Sequence, residues 1–289
     1  MNNYYSLSHK NQEPENSVLY LVGTPIGNLQ DISFRAINIL RNVSLIACED
    51  TRHTKKLLNK YEITNYLESF NKHNSFKKIP KLIDELKFGK SIAIVSDAGL
   101  PGICDPGEGL VKQVKYLGLK IICIPGPCAA LTALVSSGLP SSRFTFYGFL
   151  PKKKIEREKI LLEIAHCEET SIIYESPHRL KKLLMELKGF CSSERGIQIF
   201  RELTKKFEEN IGSNIDMVIN HFEDKEIIGE ITVVIEGNKD EANLEFNSLE
   251  LKKELSELIK AGLSLSSASK YLAKKNNLSK KKIYNLYKR

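Results

Sequence analysis

Nowhere in the 289 residues is there the run of roughly 20 apolar side chains that a membrane helix requires. The first seventeen residues are rich in Asn, Ser and Glu and hold no apolar stretch. They do not read as a signal peptide, and residues 1–17 are expected to be a disordered tail; with no membrane helix or signal peptide, a cytoplasmic protein is expected. No two of the six cysteines are spaced C-x-x-C, and the nearest pair, Cys123 and Cys128, has no histidine beside it. Reduced thiols, no metal and no disulfide framework are therefore expected. Also missing are G-x-G-x-x-G, G-x-x-x-x-G-K-[ST], G-x-S-x-G and H-E-x-x-H. Dinucleotide, P-loop nucleotide, serine-hydrolase and zinc-peptidase readings thus lose their main support. What is present, 42% apolar and 27% charged residues, suffices for one large domain or two ordinary ones.

Charge is placed unevenly. Between residues 258 and 289 there are nine basic residues and no acidic one. The other 257 residues carry 34 basic against 35 acidic side chains, so the whole excess of +8 lies in the last tenth of the chain. Such asymmetry marks an appended module for a polyanion, nucleic acid before membrane. A solubilising tail is the plainer alternative.

Short apolar runs alternate with segments of helical period, the pattern of parallel α/β units. Strands are predicted at 18–22, 43–48, 91–95, 120–124, 143–149, 170–174, 196–200 and 230–236, with a weak one at 66–70. Helices are predicted at 31–40, 51–59, 78–86, 107–117, 155–165, 177–188 and 214–222, with Asp31 and Asp50 as caps. An Ala-rich helix follows Pro125-Gly126-Pro127. The strand runs are continuously apolar, as when both sheet faces are covered. The expected architecture is two abutting α/β domains, 18–140 and 141–240, with a cleft between them. A basic, helix-turn-helix-like module at 241–289 would follow, where Leu249, Leu251, Leu255, Leu258 and Ile259 form a stripe and Ser264 or Ser266 starts the next helix.

Three loops after strands carry small residues and proline beyond what an ordinary turn needs: 23–28 (GTPIGN), 96–107 (SDAGLPGICDPG) and 125–130 (PGPCAA). Gly and Ala let a flat ligand approach the backbone, and Pro holds the loop in one shape. Singly each is more often a structural turn; at the strand ends of one sheet they would line one pocket.

The segments LVGTPIGNLQDIS (21–33), ACEDTRHTKKLL (47–58), SDAGLPGICDPG (96–107), IPGPCAALTALVSSGLP (124–140), YESPHRL (174–180), RELTKKFEE (201–209) and GEITVVIEG (229–237) stand in order along the chain. Together they resemble the tetrapyrrole methylase superfamily, and within it the ribosomal small-subunit methyltransferase I branch. The resemblance implies methyl transfer from S-adenosylmethionine to the ribose 2′-hydroxyl of a cytidine in the decoding region of 16S rRNA. It further implies a cofactor between the domains, touched by Ile26, Ala98, Gly99, Leu100, Ile103, Cys128, Ala129, Glu175 and Leu203. Porphyrin-modifying members carry G-x-G-P-G-D in the first loop, whereas here the final position is Asn28. That departure speaks against a tetrapyrrole substrate.

A ribose hydroxyl is a poor nucleophile until a neighbouring base shares its proton. Among the polar positions in these motifs, Glu49, Asp50, Arg52, His53, Glu175, His178, Arg201, Glu202 and Lys205, the expectation is that Glu175 or Glu202 assists deprotonation. Arg52 and Arg201 would orient the ribose–phosphate. Phosphate contacts are expected from Lys55, Lys56, Lys280, Lys281, Lys282, Lys288 and Arg289, on 16S rRNA within the small ribosomal subunit, by a homodimer. The rival readings are a same-fold methylase with another substrate and a non-catalytic, ligand-sensing nucleic-acid-binding regulator.

Overall fold

A computed structural model describes residues 14–239, 241–276 and 280–287, so most of the expected tail lies outside the described residues. Five short runs, Val18–Val22 (β1), Leu45–Cys48 (β2), Leu67–Ser69 (β3), Ile92–Val95 (β4) and Lys120–Ile124 (β5), form a sheet in the order β3-β2-β4-β1-β5. Every pairing in it is parallel. Alternate side chains serve opposite faces. Tyr20, Ile46, Cys48 and Ala93 pack beneath helices Phe34–Asn42 (α1) and Thr51–Lys60 (α2). Leu19, Leu45, Ala47, Ile92 and Ile94 pack beneath Ser75–Lys87 (α3) and Glu108–Tyr116 (α4). This two-sided burial is why the strands read as unbroken apolar runs.

The caps differ in one place from expectation. Asp50 caps α2, accepting the Arg52 N–H at 2.8 Å. Asp31 does not cap α1; Ser33 does, accepting the Ala36 N–H at 3.1 Å. Asp31 instead ends a short 3₁₀ turn, Leu29–Asp31, whose own cap is Asn28. Helix α3 starts at Ser75, earlier than its apolar periodicity suggests, because Asn71 and Asn74 brace the entering loop through reciprocal hydrogen bonds.

After Ala129–Ser136 (α5) comes a second sheet of Phe144–Phe149 (β6), Thr170–Glu175 (β7), Gly196–Arg201 (β8), Glu209–Asn214 (β9) and Ile231–Ile235 (β10). Its order is β6-β7-β10-β8-β9. Only β6 and β7 are parallel; β10 runs antiparallel to both β7 and β8, and β9 antiparallel to β8. The unbroken apolar strands suggest parallel units here too, and the structure corrects that expectation. They are apolar because both faces are covered, which does not require parallel pairing. Strand β9 escapes the apolar pattern: its sequence, ENIGSN, is polar because it is a partly exposed edge strand.

Helices Lys154–His166 (α6), Pro177–Phe190 (α7) and Ile215–Phe222 (α8) cover one face of this sheet through Leu161, Leu180, Leu184, Leu187 and Val218. On the other face Ile172, Phe200 and Val234 pack against Ala130, Ala133 and Leu134 of α5 and against Ile26 from the loop after β1. That shared cluster joins the two sheets, and residues up to Gly237 form one compact unit. The boundary expected at residue 140 thus separates two sheets inside a single unit.

Residues 238–289 form a second unit. It contains Glu241–Lys260 (α9), Leu265–Lys275 (α10) and Lys280–Leu286 (α11), built around Leu255, Ala268, Leu272, Ala273 and Ile283. Ser264 is the cap of α10, accepting the Ser267 N–H.

Candidate active site

The loops after β1, β4 and β5 leave the carboxyl edge of the first sheet and are joined main chain to main chain. Gly23 donates its N–H to the Ile124 carbonyl at 3.2 Å. Thr24 and Gly99 exchange two backbone hydrogen bonds, of 2.9 and 3.1 Å. Gly99 takes a φ of 76°, a conformation that a side chain would disfavour. Strand order reverses about β1, so these loops flank the crevice where open α/β sheets bind ligands.

Together with the ends of β7, β8 and β10 they line a half-open cavity of about 460 Å³, within the usual size for a small-molecule site. All nine residues expected to hold the cofactor line it: Ile26, Ala98, Gly99, Leu100, Ile103, Cys128, Ala129, Glu175 and Leu203. The wall they form with Phe200 is largely apolar, and Tyr174 stands among them. The Tyr174 hydroxyl accepts the Ala130 N–H at 3.0 Å and so ties the first turn of α5 to β7. Burial pushes the Tyr174 phenol well above its ordinary value.

The side chains expected to perform the chemistry are not brought together. Glu175 lines the cavity, but its carboxylate is fully engaged: it accepts from Arg157 Nη2 at 3.3 Å and the Ser176 N–H at 2.8 Å, and it pairs with Arg179 Nε at 3.3 Å. Arg157 in turn bonds Glu186 at 2.7 Å. Glu175 is thus tied into a buried network of ion pairs and hydrogen bonds at the cavity wall. Glu202 lies off the cavity, accepting from Lys205 Nζ and from the Glu230 N–H, each at 2.9 Å. Burial works against it, yet the Lys205 ammonium and that N–H hold its carboxyl below the ordinary value. Arg201 pairs with Glu209 and also donates to the Ile228 carbonyl, while Arg52 pairs with its own helix cap, Asp50, on an exposed surface. Neither arginine lines the cavity.

Four other carboxylate residues line it: Glu49, Asp97, Asp105 and Glu230, the last paired with Lys205 at 2.8 Å. Asp97 accepts the Asp50 N–H at 3.1 Å. Burial first, then the negative charges of Asp105 and Asp97, pushes the Glu49 carboxyl above its ordinary value. Asp105 is likewise raised by burial and by Asp97, with Lys72 opposing. Sequence reasoning names Glu49 but not the two aspartates, although both bracket the glycine- and proline-rich loop after β4. Among the described residues no His, Cys, Asp and Glu group is arranged to hold a metal ion, and all six cysteines are free thiols.

Of the expected phosphate contacts, Lys55 and Lys56 are exposed on α2. Lys280 donates to the Ser266 hydroxyl at 2.8 Å within the helical unit. The side chains of Lys281 and Lys282, and residues 288 and 289, lie outside the described residues.

A family model for the tetrapyrrole (corrin/porphyrin) methylases matches residues 18–217. The chain belongs to the tetrapyrrole methylase family. Within that family, ribosomal RNA small subunit methyltransferase I of Bacillus subtilis (strain 168) is 43% identical to it over 281 residues, 96% of each chain. The protein of the same name from Synechocystis sp. (strain ATCC 27184 / PCC 6803 / Kazusa) is 42% identical over 269 residues, 93% of this chain and 96% of that one. Among solved structures, a cobalt precorrin-4 methyltransferase aligns with TM-score 0.58 at 14% identity, over 76% of this chain and 95% of its own. A diphthine synthase aligns with TM-score 0.58 at 13% identity, over 76% and 90%. These two establish the fold alone. As a tetrapyrrole methylase with such relatives, the chain is a methyltransferase that draws on S-adenosylmethionine.

Proposed function

We propose that the chain methylates the ribose 2′-hydroxyl of a cytidine in the decoding region of 16S rRNA, acting on the small ribosomal subunit. The observation that carries this reading is a single cavity closed by loops from both sheets, in a chain 43% identical over nearly its whole length to a ribosomal RNA methyltransferase. The first loop agrees with it. Where porphyrin-modifying members place an aspartate, Asn28 is occupied with the fold itself, its side chain capping a 3₁₀ turn and its N–H donating to Thr204 Oγ1 at 3.0 Å.

The cavity fits S-adenosylmethionine in kind. Loops built of small residues present main chain to a flat group, an apolar wall faces it, and the half-buried carboxylates Glu49, Asp97 and Asp105 suit a cationic partner. Residues Ile26, Ala98, Gly99, Leu100, Ile103, Cys128, Ala129 and Leu203 would hold it, with Glu175 anchoring the wall. The bound cofactor supplies an activated methyl group on a positively charged sulfur. Ile26, Leu100, Phe200 and Leu203 keep water from the reacting atoms, and alignment in a dry site supplies much of the acceleration. Glu49, raised by burial, is the group suited to take the hydroxyl proton on its carboxylate.

The protein would work as a homodimer in the cytoplasm. Leu131 and Val135 of α5 remain exposed, as a partner-facing helix would leave them in a single chain. Among the described residues no helix is long and apolar enough to cross a membrane.

The test is transfer of labelled methyl from S-adenosylmethionine to small subunits lacking the modification, with the product mapped as a 2′-O-methylcytidine. Transfer to a tetrapyrrole instead would favour the other methylase reading. Cofactor binding without turnover on any ribosomal particle would favour a regulator.

A further inference from the structure

We infer that the first sheet's carboxyl rim beside the cavity is a docking track for single-stranded RNA, with Phe76 as its base-stacking platform. The inference rests on the RNA-methylating reading above and specifies where the strand lies as it enters the site.

Lys72 fixes one end of the track. Its Nζ donates to the carbonyl of Cys104, a residue of the cavity wall, at 2.6 Å. Phe76 follows four residues later, a chain reach of at most about 14 Å. It sits in the first turn of α3 with 90% of its surface exposed. A single exposed apolar side chain is ordinary. This one stands on a braced support: Asn71 accepts the N–H groups of His73 and Asn74, and Asn74 donates its side-chain amide to the Ser69 carbonyl. An aromatic ring held rigidly in water suits stacking, because every base offers a π-face and little ordering cost remains.

The sequence neighbours of Phe76, Lys72 and Lys77, form no ion pair among the described residues, whereas Lys78 and Lys81, further along α3, pair with the buried Glu68. Lys55 and Lys56, exposed on α2 on the other face of the sheet, likewise enter no ion pair among the described residues. Cations left without a carboxylate along the rim of a ligand cavity, with an aromatic ring among them, complement a phosphate backbone whose bases are splayed out.

The experiment measures affinity of the full-length protein for a fluorescein-labelled, unstructured cytidine-containing 12-nucleotide RNA. Phe76→Ala is expected to weaken binding about tenfold while Phe76→Tyr stays near the wild type. Lys77→Ala should weaken it less and make the log–log salt dependence shallower by about one. The control is Phe88→Ala, 84% exposed just beyond the opposite end of α3, which should change nothing. All variants should keep wild-type melting temperature and S-adenosylmethionine affinity. Unchanged RNA affinity in Phe76→Ala, equal loss in Phe88→Ala, or equally tight binding of a duplex of the same length would each overturn the platform. Wild-type turnover on small subunits reports separately on the functional reading, so a failure there is not mistaken for a failure of the track.

Discussion

Gly23 and Gly126 meet backbone to backbone: a Cβ on Gly126 would lie 2.7 Å from the Gly23 Cα and 2.9 Å from its carbonyl oxygen. Real Cβ atoms do not approach so closely, so any side chain at either position must drive apart the loops that close the cavity. Gly126→Ala is expected to destabilise the protein by about 1–3 kcal/mol and to weaken S-adenosylmethionine binding, read by thermal unfolding and calorimetry. Gly189→Ala is the contrast. Gly189 lies within α7 with nothing near its missing Cβ, so alanine there should raise stability slightly, by up to about 1 kcal/mol. If both variants behaved alike, the close approach of the two loops would not be what shapes the site.

Glu175 stands among the residues expected to assist catalysis, and its surroundings argue for a structural task. Its side chain is wholly buried between Arg157 and Arg179. Glu175→Ala removes one of the two counter-charges of the buried Arg157 guanidinium and should cost about 3 kcal/mol in urea unfolding. Glu175→Gln keeps the shape and should retain turnover with an unshifted pH–rate profile. A folded, stable Glu175→Gln protein with no activity would return the carboxylate to the chemistry.

What the sequence makes legible divides along physical lines. The loops after β1, β4 and β5 can be read because their small residues and prolines are a local signature of close backbone approach. The strands of the first sheet can be read because burial on both faces leaves unbroken apolar runs. The antiparallel pairing of β10 cannot, since pairing direction leaves no mark on a strand buried on both sides. Nor can the fate of Glu175 and Glu202. Whether a carboxylate is free or bound depends in part on partners 18 to 28 residues away, such as Arg157 and Glu230, which meet it only in the folded chain. Asp97 and Asp105 are hidden for the opposite reason: in a glycine-rich loop an aspartate reads first as turn chemistry.

Glu49 yields a pH dependence with opposite signs for activity and stability. Burial raises its carboxyl above the ordinary 4.5, so the folded protein holds that proton more tightly than the unfolded chain. Stability must therefore fall as pH rises from about the ordinary value through the raised one. With Glu49 as the proposed proton acceptor, activity needs the ionised form and is expected to rise over the same interval. Glu49→Gln should accordingly melt at a higher temperature than the wild type at pH 8, with the difference vanishing near pH 4. It should also lose about a hundredfold in kcat. A variant that kept full activity, or that was less stable at pH 8, would remove Glu49 from the proton-transfer role.

The helical unit can be tested by removing it whole. Its buried residues, Leu255, Ala268, Leu272, Ala273 and Ile283, form a cluster of their own, and a cut after Gly237 falls between the two compact units. Residues 258–289 within it carry the entire positive excess of the chain. Deleting residues 238–289 is expected to leave the melting transition and S-adenosylmethionine affinity of the remainder within about twofold. RNA affinity should fall, and its salt dependence should flatten by about one log–log unit for each phosphate that the helices would otherwise neutralise. Filter binding across a salt series, paired with calorimetry of the cofactor, separates the outcomes. Parallel loss of cofactor and RNA binding would mean that the basic helices hold the fold together rather than gripping the substrate.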